Sequence, residues 1–174
     1  DDFRLSDNSA LSYASVNHDF VSVMYIFNNE YFDGKREAQK WWISKSLESL
    51  DDDLNKLNIK LEIVISDELK FFSKIKDKNI SIYWNKVYEP NQLEIDKKII
   101  NDLEKKNIKY KLFKGNILNE YQSITKKDGT PFKVFSPFWR HAEQIYLDRV
   151  PKKNLNLRKM KKKVDFIGSN IKPN

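Results

Sequence analysis

This sequence predicts an α/β domain: a mostly parallel, doubly wound sheet with helices on both faces. Three observations carry that prediction. Four short runs rich in β-branched and aromatic residues recur along the chain. Stretches with helical spacing of apolar residues separate them. The intervals suit β/α units with crossovers rather than hairpins, and no internal repeat interrupts them.

Each element has its own justification. FVSVMYIF (20–27) reads as a buried strand. REAQKWWISKSLESLDDDLNKL (36–57) reads as a helix, with Trp42, Leu47, Leu50, Leu54 and Leu57 at helical spacing and acids and lysines on the other faces. IKLEIVI (59–65) is strand-like, and DELKFFSKI (67–75) is a short helix with an acidic first turn. NISIYW (79–84) is again a strand, PNQLEIDKKIINDLEKK (90–106) a helix opened by proline, and IKYKLF (108–113) a further strand. At the amino end LSDNSALSYAS (5–15) reads as a loop and a helix capped by Ser6 or Asp7. A β/α fold needs a strand ahead of that helix and only DDFR precedes it, so the expectation is that the chain begins just after its first strand.

Composition narrows the function classes. The 174 residues suit one α/β domain and an appendage. No run of eighteen apolar residues is present to span a membrane as a helix. Zero cysteines removes disulfides, thiolate catalysis and cysteine zinc sites, which fits a cytoplasmic location. The net charge of +7 is local: eight of the 32 cations and one of the 25 acids lie from Pro151 onward, leaving 24 of each in the body. That basic run can touch phosphates, but no aromatic or glycine interleaves KMKKK as a stacking surface requires. It reads as a solvated linker.

The chemistry-bearing motifs are few. The four glycines form no phosphate-binding loop, which argues against a Rossmann dehydrogenase or a P-loop enzyme. His18 and His141 lack metal-ligand spacing, and His141 is expected to pack in its aromatic surroundings. Asp51, Asp52 and Asp53 point in different directions on a helix and read as a solvated face. The informative stretch is YWNKVYEPNQLEID (83–96), where a strand ends and a helix begins at the carboxyl edge of the sheet. Asn85, Tyr88, Glu89, Asn91 and Gln92 place amides, a phenol and a carboxylate there, a set that suits a planar heteroaromatic ligand. The same residues also suit a capped strand-to-helix turn, with Asn85 bonding backbone.

Three segments together resemble one family. DDFRLSDNSAL resembles the W-F-R-x-D-L-R-x-x-D-N-x-A-L opening of DNA photolyases and cryptochromes with its first residues cut away. YWNKVYEPNQLEID resembles the family's N-x-x-Y-E-P element, and GTPFKVFSPFWR its G-x-x-Y-K-V-F-T-P-F-W segment. AQKWWISKSLESL is similar to the family's second helix, and the match is colinear from Asp2 to about Arg149. The resemblance implies a flavodoxin-like, doubly wound parallel five-stranded sheet with its first, central strand truncated. It implies an antenna domain over residues 1–150 and a basic interdomain linker over 151–174, with a helical FAD domain absent from this sequence.

What the family does is implied in the same way. The α/β domain holds a light-harvesting pigment, methenyltetrahydrofolate or an 8-hydroxy-deazaflavin. Excitation passes to reduced FAD in the helical domain, which splits a cyclobutane pyrimidine dimer flipped out of the DNA stack. The implied partners are UV-damaged DNA, met through the full-length protein, and the chain's own C-terminal helical domain. No membrane is implied, and the expected state is a monomer. A cryptochrome without repair activity, or a free-standing nucleotide-binding module, are the alternatives.

The family's folate pair, an Asn then a Glu after Y-E-P, falls on Asn91 and Gln92. Gln92 departs from it, since a carboxylate can take two charge-assisted bonds from an aminopterin edge and an amide cannot. Asn28, with Asn29, is the expected second wall of the pigment site; deazaflavin binders of the family often carry Asp at the Asn28 position. Arg4 and Asp2 match the D-L-R element and are expected to be structural.

Two further expectations concern packing. Phe132, Phe135, Phe138 and Trp139 crowd residues 129–147 and are expected to bury against the domain's flank and the helical domain, with Pro137 at the first helical position. Without a central strand, the strands at 20–27 and 79–84 lose their shared neighbour and should flank a gap or a makeshift closure. Each unpaired buried backbone group costs about 1–3 kcal/mol against a domain stability of about 5–15 kcal/mol, so the isolated chain is expected not to fold stably.

Overall fold

The computed structural model of the chain describes residues 3–28, 37–117, 119–120, 123–145 and 157–166. Within them the order is α1 (Ser9–Asn17), β1 (Ser22–Phe27), α2 (Glu37–Lys56), β2 (Lys60–Ile65), α3 (Glu68–Lys74), β3 (Ser81–Asn85), α4 (Pro90–Lys106), β4 (Lys109–Phe113) and α5 (Phe135–Ile145). The alternation is the predicted one, and local chemistry sets the ends. Asp67 caps α3 by accepting from the Lys70 amide at 3.0 Å. Pro90 opens α4, and Asn107 closes it in the left-handed conformation at φ 55°, with Lys105 and Lys106 in the last turn.

The cap of α1 differs from the sequence expectation. Asn8 holds it, accepting from the Leu11 amide at 3.0 Å, rather than Ser6 or Asp7. The reason is backbone: Asp7 sits at φ 53°, whereas an N-cap residue needs the extended conformation that Asn8 adopts at φ −105°, ψ 96°.

The strands form two parallel pairs. Ser22 to Phe27 lie opposite Lys60 to Ile65, and Ser81 to Asn85 opposite Lys109 to Phe113. Among the described residues no ladder joins one pair to the other. The expected gap between the strands at 20–27 and 79–84 therefore lies between β1 and β3. Alternating side chains build a core on each face. On one face Leu11 and Ala14 of α1 and Leu50 and Leu54 of α2 pack with Val23, Leu61 and Tyr83. On the other, Phe71 and Ile75 at α3 and Ile99 and Leu103 of α4 pack with Met24, Val64, Ile82 and Trp84. Helices on both faces of parallel strands make the winding double.

Two segments depart from their sequence reading. The 157–166 part of the basic run is docked rather than solvated: Met160 is 1% exposed within the first core. Its amide donates to the Leu57 carbonyl at 2.8 Å, and the Asn58 amide donates to the Met160 carbonyl at 2.9 Å. Arg158 reaches the Asp19 carboxylate at 2.6 Å, and Phe166 packs against the second core. Helix α5 starts at Phe135, two residues before Pro137. Its rings pack mainly on one another, Phe135 stacking on Trp139 at 6.2 Å and Phe132 lying 5.5 Å from His141. No α5 residue belongs to either core.

Candidate functional site

A cleft of about 990 Å³ opens between the facing sides of β1 and β3. Its walls are apolar where the strands run, with Val23, Met24 and Ile26 across from Ile82, Tyr83 and Trp84. Polar groups gather at the ends. This follows from the topology: parallel strands all present their carboxyl ends, and the turns into the helices, on one edge.

At the amino end the cleft is closed by the docked 157–166 segment. The Phe166 amide donates to the Glu62 carboxylate at 2.8 Å, and the Ser22 hydroxyl donates to the same oxygen at 2.5 Å. Lys60 pairs with Asp165. One strand further, the His18 ring nitrogen meets the Tyr83 hydroxyl at 2.7 Å, with the rings 5.5 Å apart.

The carboxyl end is built from β3, the turn into α4, and α1. The Asn85 amide donates to Asn8 Oδ1 at 3.0 Å while its oxygen accepts from the Ala10 amide at 3.2 Å, so Asn85 fastens the start of α1. The Tyr88 hydroxyl donates to Glu120 at 2.8 Å, and Lys86 meets the same oxygen at 3.3 Å. Burial, then the bond to Glu120, raises the Tyr88 phenol above its ordinary pKa. Gly115 packs beneath this turn; a Cβ there would stand 1.9 Å from the Lys86 carbonyl oxygen, so only glycine permits the approach. Arg4 donates to the Asp7 carbonyl at 3.2 Å, a bond within the first loop.

Two carboxylates reach the cleft with an oxygen unused. Asp96 on α4 is 6% exposed and Glu68 begins α3. Among the described residues, neither Asp96 Oδ2 nor Glu68 Oε2 accepts a hydrogen bond, and both residues line the cleft. Burial raises the Asp96 pKa, opposed by bonds from the Trp84 indole and the Gln92 amide, the latter at 3.5 Å. Burial, with the charge of Glu68 beside it, likewise raises the Tyr25 phenol. Trp84 and Phe72, ring centres 6.4 Å apart, supply an aromatic flank at this end.

The sequence-predicted residues divide. Gln92 and Glu89 line the cleft; Asn91, exposed in the first turn of α4, and Asn28, buried just past β1, lie outside it. Asn85 spends its amide on Asn8 and Ala10 at the start of α1, and Tyr88 its hydroxyl on Glu120. Asn29 and Asp2 fall outside the described residues. Sequence reasoning missed Asp96, Glu68, Trp84 and Phe72. A signal for Asp96 was present, because it stands four residues after Gln92 and so on the same helical face.

Comparison with known proteins places this architecture. The family model described as DNA photolyase matches residues 1–155. A deoxyribodipyrimidine photo-lyase of Agrobacterium fabrum is 29% identical over 144 residues, 82% of this chain and 30% of that protein. Cryptochrome-1 of Arabidopsis thaliana is 29% identical over 154 residues, 84% of this chain and 22% of that protein. The chain thus spans less than a third of these curated relatives. Among solved structures, a bacterial class III photolyase from Agrobacterium tumefaciens superposes with a TM-score of 0.69 at 26% identity, covering 99% of this chain and 37% of that one. An archaeal photolyase from Sulfolobus tokodaii, solved with two FAD molecules, superposes with a TM-score of 0.70 at 22% identity, covering 98% and 37%. No described helix is long and apolar enough to cross a membrane. With its motifs, its parallel β/α order and its family match in agreement over most of its length, this chain belongs to the DNA photolyase family.

Proposed function

We propose that this chain is the pigment-holding domain of a deoxyribodipyrimidine photolyase that works in the cytoplasm. In this reading the whole protein repairs cyclobutane pyrimidine dimers by light-driven electron transfer from reduced FAD. The observation that carries it is the family match over residues 1–155. The dye is expected at the carboxyl edge of the sheet, with Gln92 and Asn91 in the first turn of α4 and Asn28 just past β1 as its polar contacts; the space between β1 and β3 is the one the truncated central strand would fill. When bound, the pigment absorbs light and hands the excitation on to FAD, which a helical domain beyond residues 151–174 would hold. The chain's own part is to bind the dye, fix its plane and keep water from its face. The Agrobacterium fabrum photo-lyase supports the repair reading, and the Sulfolobus tokodaii structure, in which a novel light-harvesting cofactor is implicated, supports the pigment.

Near-ultraviolet and visible absorbance of the purified full-length protein tests this, before and after reconstitution with methenyltetrahydrofolate or an 8-hydroxy-deazaflavin. A stoichiometric pigment band is expected; a protein that stays colourless outside its FAD bands under both conditions overturns the antenna reading. Light-dependent repair of UV-irradiated oligothymidylate tests the enzyme reading. Arabidopsis cryptochrome-1, equally identical at 29%, favours a second reading, a blue-light receptor domain. Loss of dimers under blue light excludes the receptor-only alternative, and an inert but light-reducible flavoprotein supports it.

A further inference from the structure

We propose that residues 157–166 are a clamp that fixes the α/β domain against the rest of the protein, with Met160 as its anchor, and that this fixed placement sets how well the pigment passes excitation to FAD. The second part rests on the reading of the chain as the pigment-holding domain. The first needs only a domain beyond the segment.

The argument begins with a segment in unexpected company. Five of its ten residues are lysine or arginine, a composition that favours water over a protein surface. Yet the Met160 side chain is 1% exposed, set among Leu50, Leu54 and Ile59. Its backbone is bonded in both directions, to the Leu57 carbonyl and to the Asn58 side-chain amide. The cations are spent on neighbours: Arg158 and Lys161 share the Asp19 carboxylate at 2.6 and 3.3 Å, and Lys163 meets the Asn55 side chain. Lys162 lies over the Phe20 ring, 5.5 Å from its centre. Half-exposed ion pairs contribute little singly, so the buried methionine carries the hold and the charges fix its register. These partners lie on α1, on α2 and in the segments just after them, so the hold does not rely on the space between β1 and β3.

A clamp at this place shortens the tether between domains. Residues 167–174 follow it, and these eight residues span at most about 29 Å when extended. Measured from Ile145, where α5 ends, the same end point could lie about 100 Å away. A shorter tether raises the effective concentration of one domain at the surface of the other and narrows the orientations open to it. Excitation transfer falls steeply with the separation of two dyes and depends on their mutual angle. A fixed placement therefore gives every molecule the same transfer, and a loose one does not. The segment docks at the amino end of the strands, near Ser22 and Lys60, while the pigment is expected at the carboxyl edge. It thus acts on transfer without touching the dye.

Two measurements on the full-length protein test the proposal, in wild type, Met160→Ala, the double variant Arg158→Ala with Lys161→Ala, and Lys159→Ala. The first is the dipolar distance between the flavin radical and a nitroxide carried on Lys105→Cys, an exposed site of α4. It needs no pigment, and these 174 residues hold no other cysteine. The second is the fluorescence lifetime of bound methenyltetrahydrofolate, which transfer to FAD shortens and which reports only molecules that carry the dye. Wild type and Lys159→Ala, an exposed substitution, should give one narrow distance and a short lifetime. Met160→Ala should broaden the distance and lengthen the lifetime, and the double variant should do the same to a lesser extent. Both should lose hydrogen-exchange protection at the residue-160 amide. A narrow, unchanged distance in variants that have lost this protection overturns the clamp, since the domain interface alone then holds the placement. Protection that survives in both variants overturns it too, because Met160 and the Asp19 pairs are then not the anchors. Should Met160→Ala fail to fold, the double variant, confined to exposed side chains, decides alone. A broadened distance with an unchanged lifetime overturns the link to transfer. A wild type that takes up no pigment sinks the antenna reading and leaves the distance measurement to decide the clamp.

Discussion

The aromatic stretch around α5 and the basic stretch at 157–166 exchange the fates their compositions suggest. Phe135 is 70% exposed, in a segment with four large rings, while Met160, amid lysines, is 1% exposed. The difference lies in what each can reach. Met160 arrives with its backbone already paired to Leu57 and Asn58 and falls between Leu54 and Ile59, so one side chain completes a core. The rings of α5 have no such socket within the described residues and stack on each other instead. A count of apolar residues says what could be buried; position along the fold says what is. An exposed apolar face of this kind is also what a docking helical domain would need.

Three experiments, in order of falling effect, break or sharpen the contrast, each read in the full-length protein. Met160→Ala should cost about 2–5 kcal/mol by cavity formation, whereas Phe135→Ala should stay within about 0.5 kcal/mol if nothing covers α5. Urea denaturation followed by hydrogen exchange at the Ile59 and Met160 amides measures both; a large loss in Phe135→Ala would show that the helical domain buries that ring. Glu62→Gln should cost about 1–3 kcal/mol, because this buried carboxylate accepts from both Ser22 and Phe166. Its signature is lost protection at the Phe166 amide with Met160 unaffected; equal loss at both would mean that the segment docks as one unit.

The smallest effect is a pH dependence. The bonds from Arg158 and then Lys161 hold the Asp19 carboxyl below its ordinary value of 3.8. A depressed folded-state pKa contributes stability that is present above the unfolded value and lost as pH falls through the folded one. Protection of the Arg158–Lys161 stretch should therefore hold from neutral pH down to about 4 and decline below that. In Asp19→Asn the protection should already be lower at neutral pH and should lack this step. An unchanged acid profile in Asp19→Asn would assign the step to another group.

Much of this was legible beforehand because it is local. The period of α2 and α4, the proline that opens α4, and the strand-like runs all act through near neighbours, so helices at 36–57 and 90–106 were placed to within a residue. The cap of α1 was misplaced by one or two residues because Ser6, Asp7 and Asn8 are all good N-caps, and only the backbone, left-handed at Asp7, chooses among them. At the site, the turn at 83–96 was found, and its residues suited either a ligand or a capped turn; Asn85 and Tyr88 instead serve α1 and Glu120. Those partners are 77 and 32 residues away, and no spacing rule reaches them.

By itself the sequence determined the order of strands and helices and the family, since each depends on short-range pattern or on ordered motifs. Only the tertiary structure decided that Met160 is core while Phe135 is not, that the 157–166 segment docks on Leu57 and Asn58, and that Asp96 keeps one oxygen bare. Those are matters of which surfaces meet and which donors are already taken. Burial and hydrogen-bond satisfaction are properties of the whole packed chain, and no residue carries them alone.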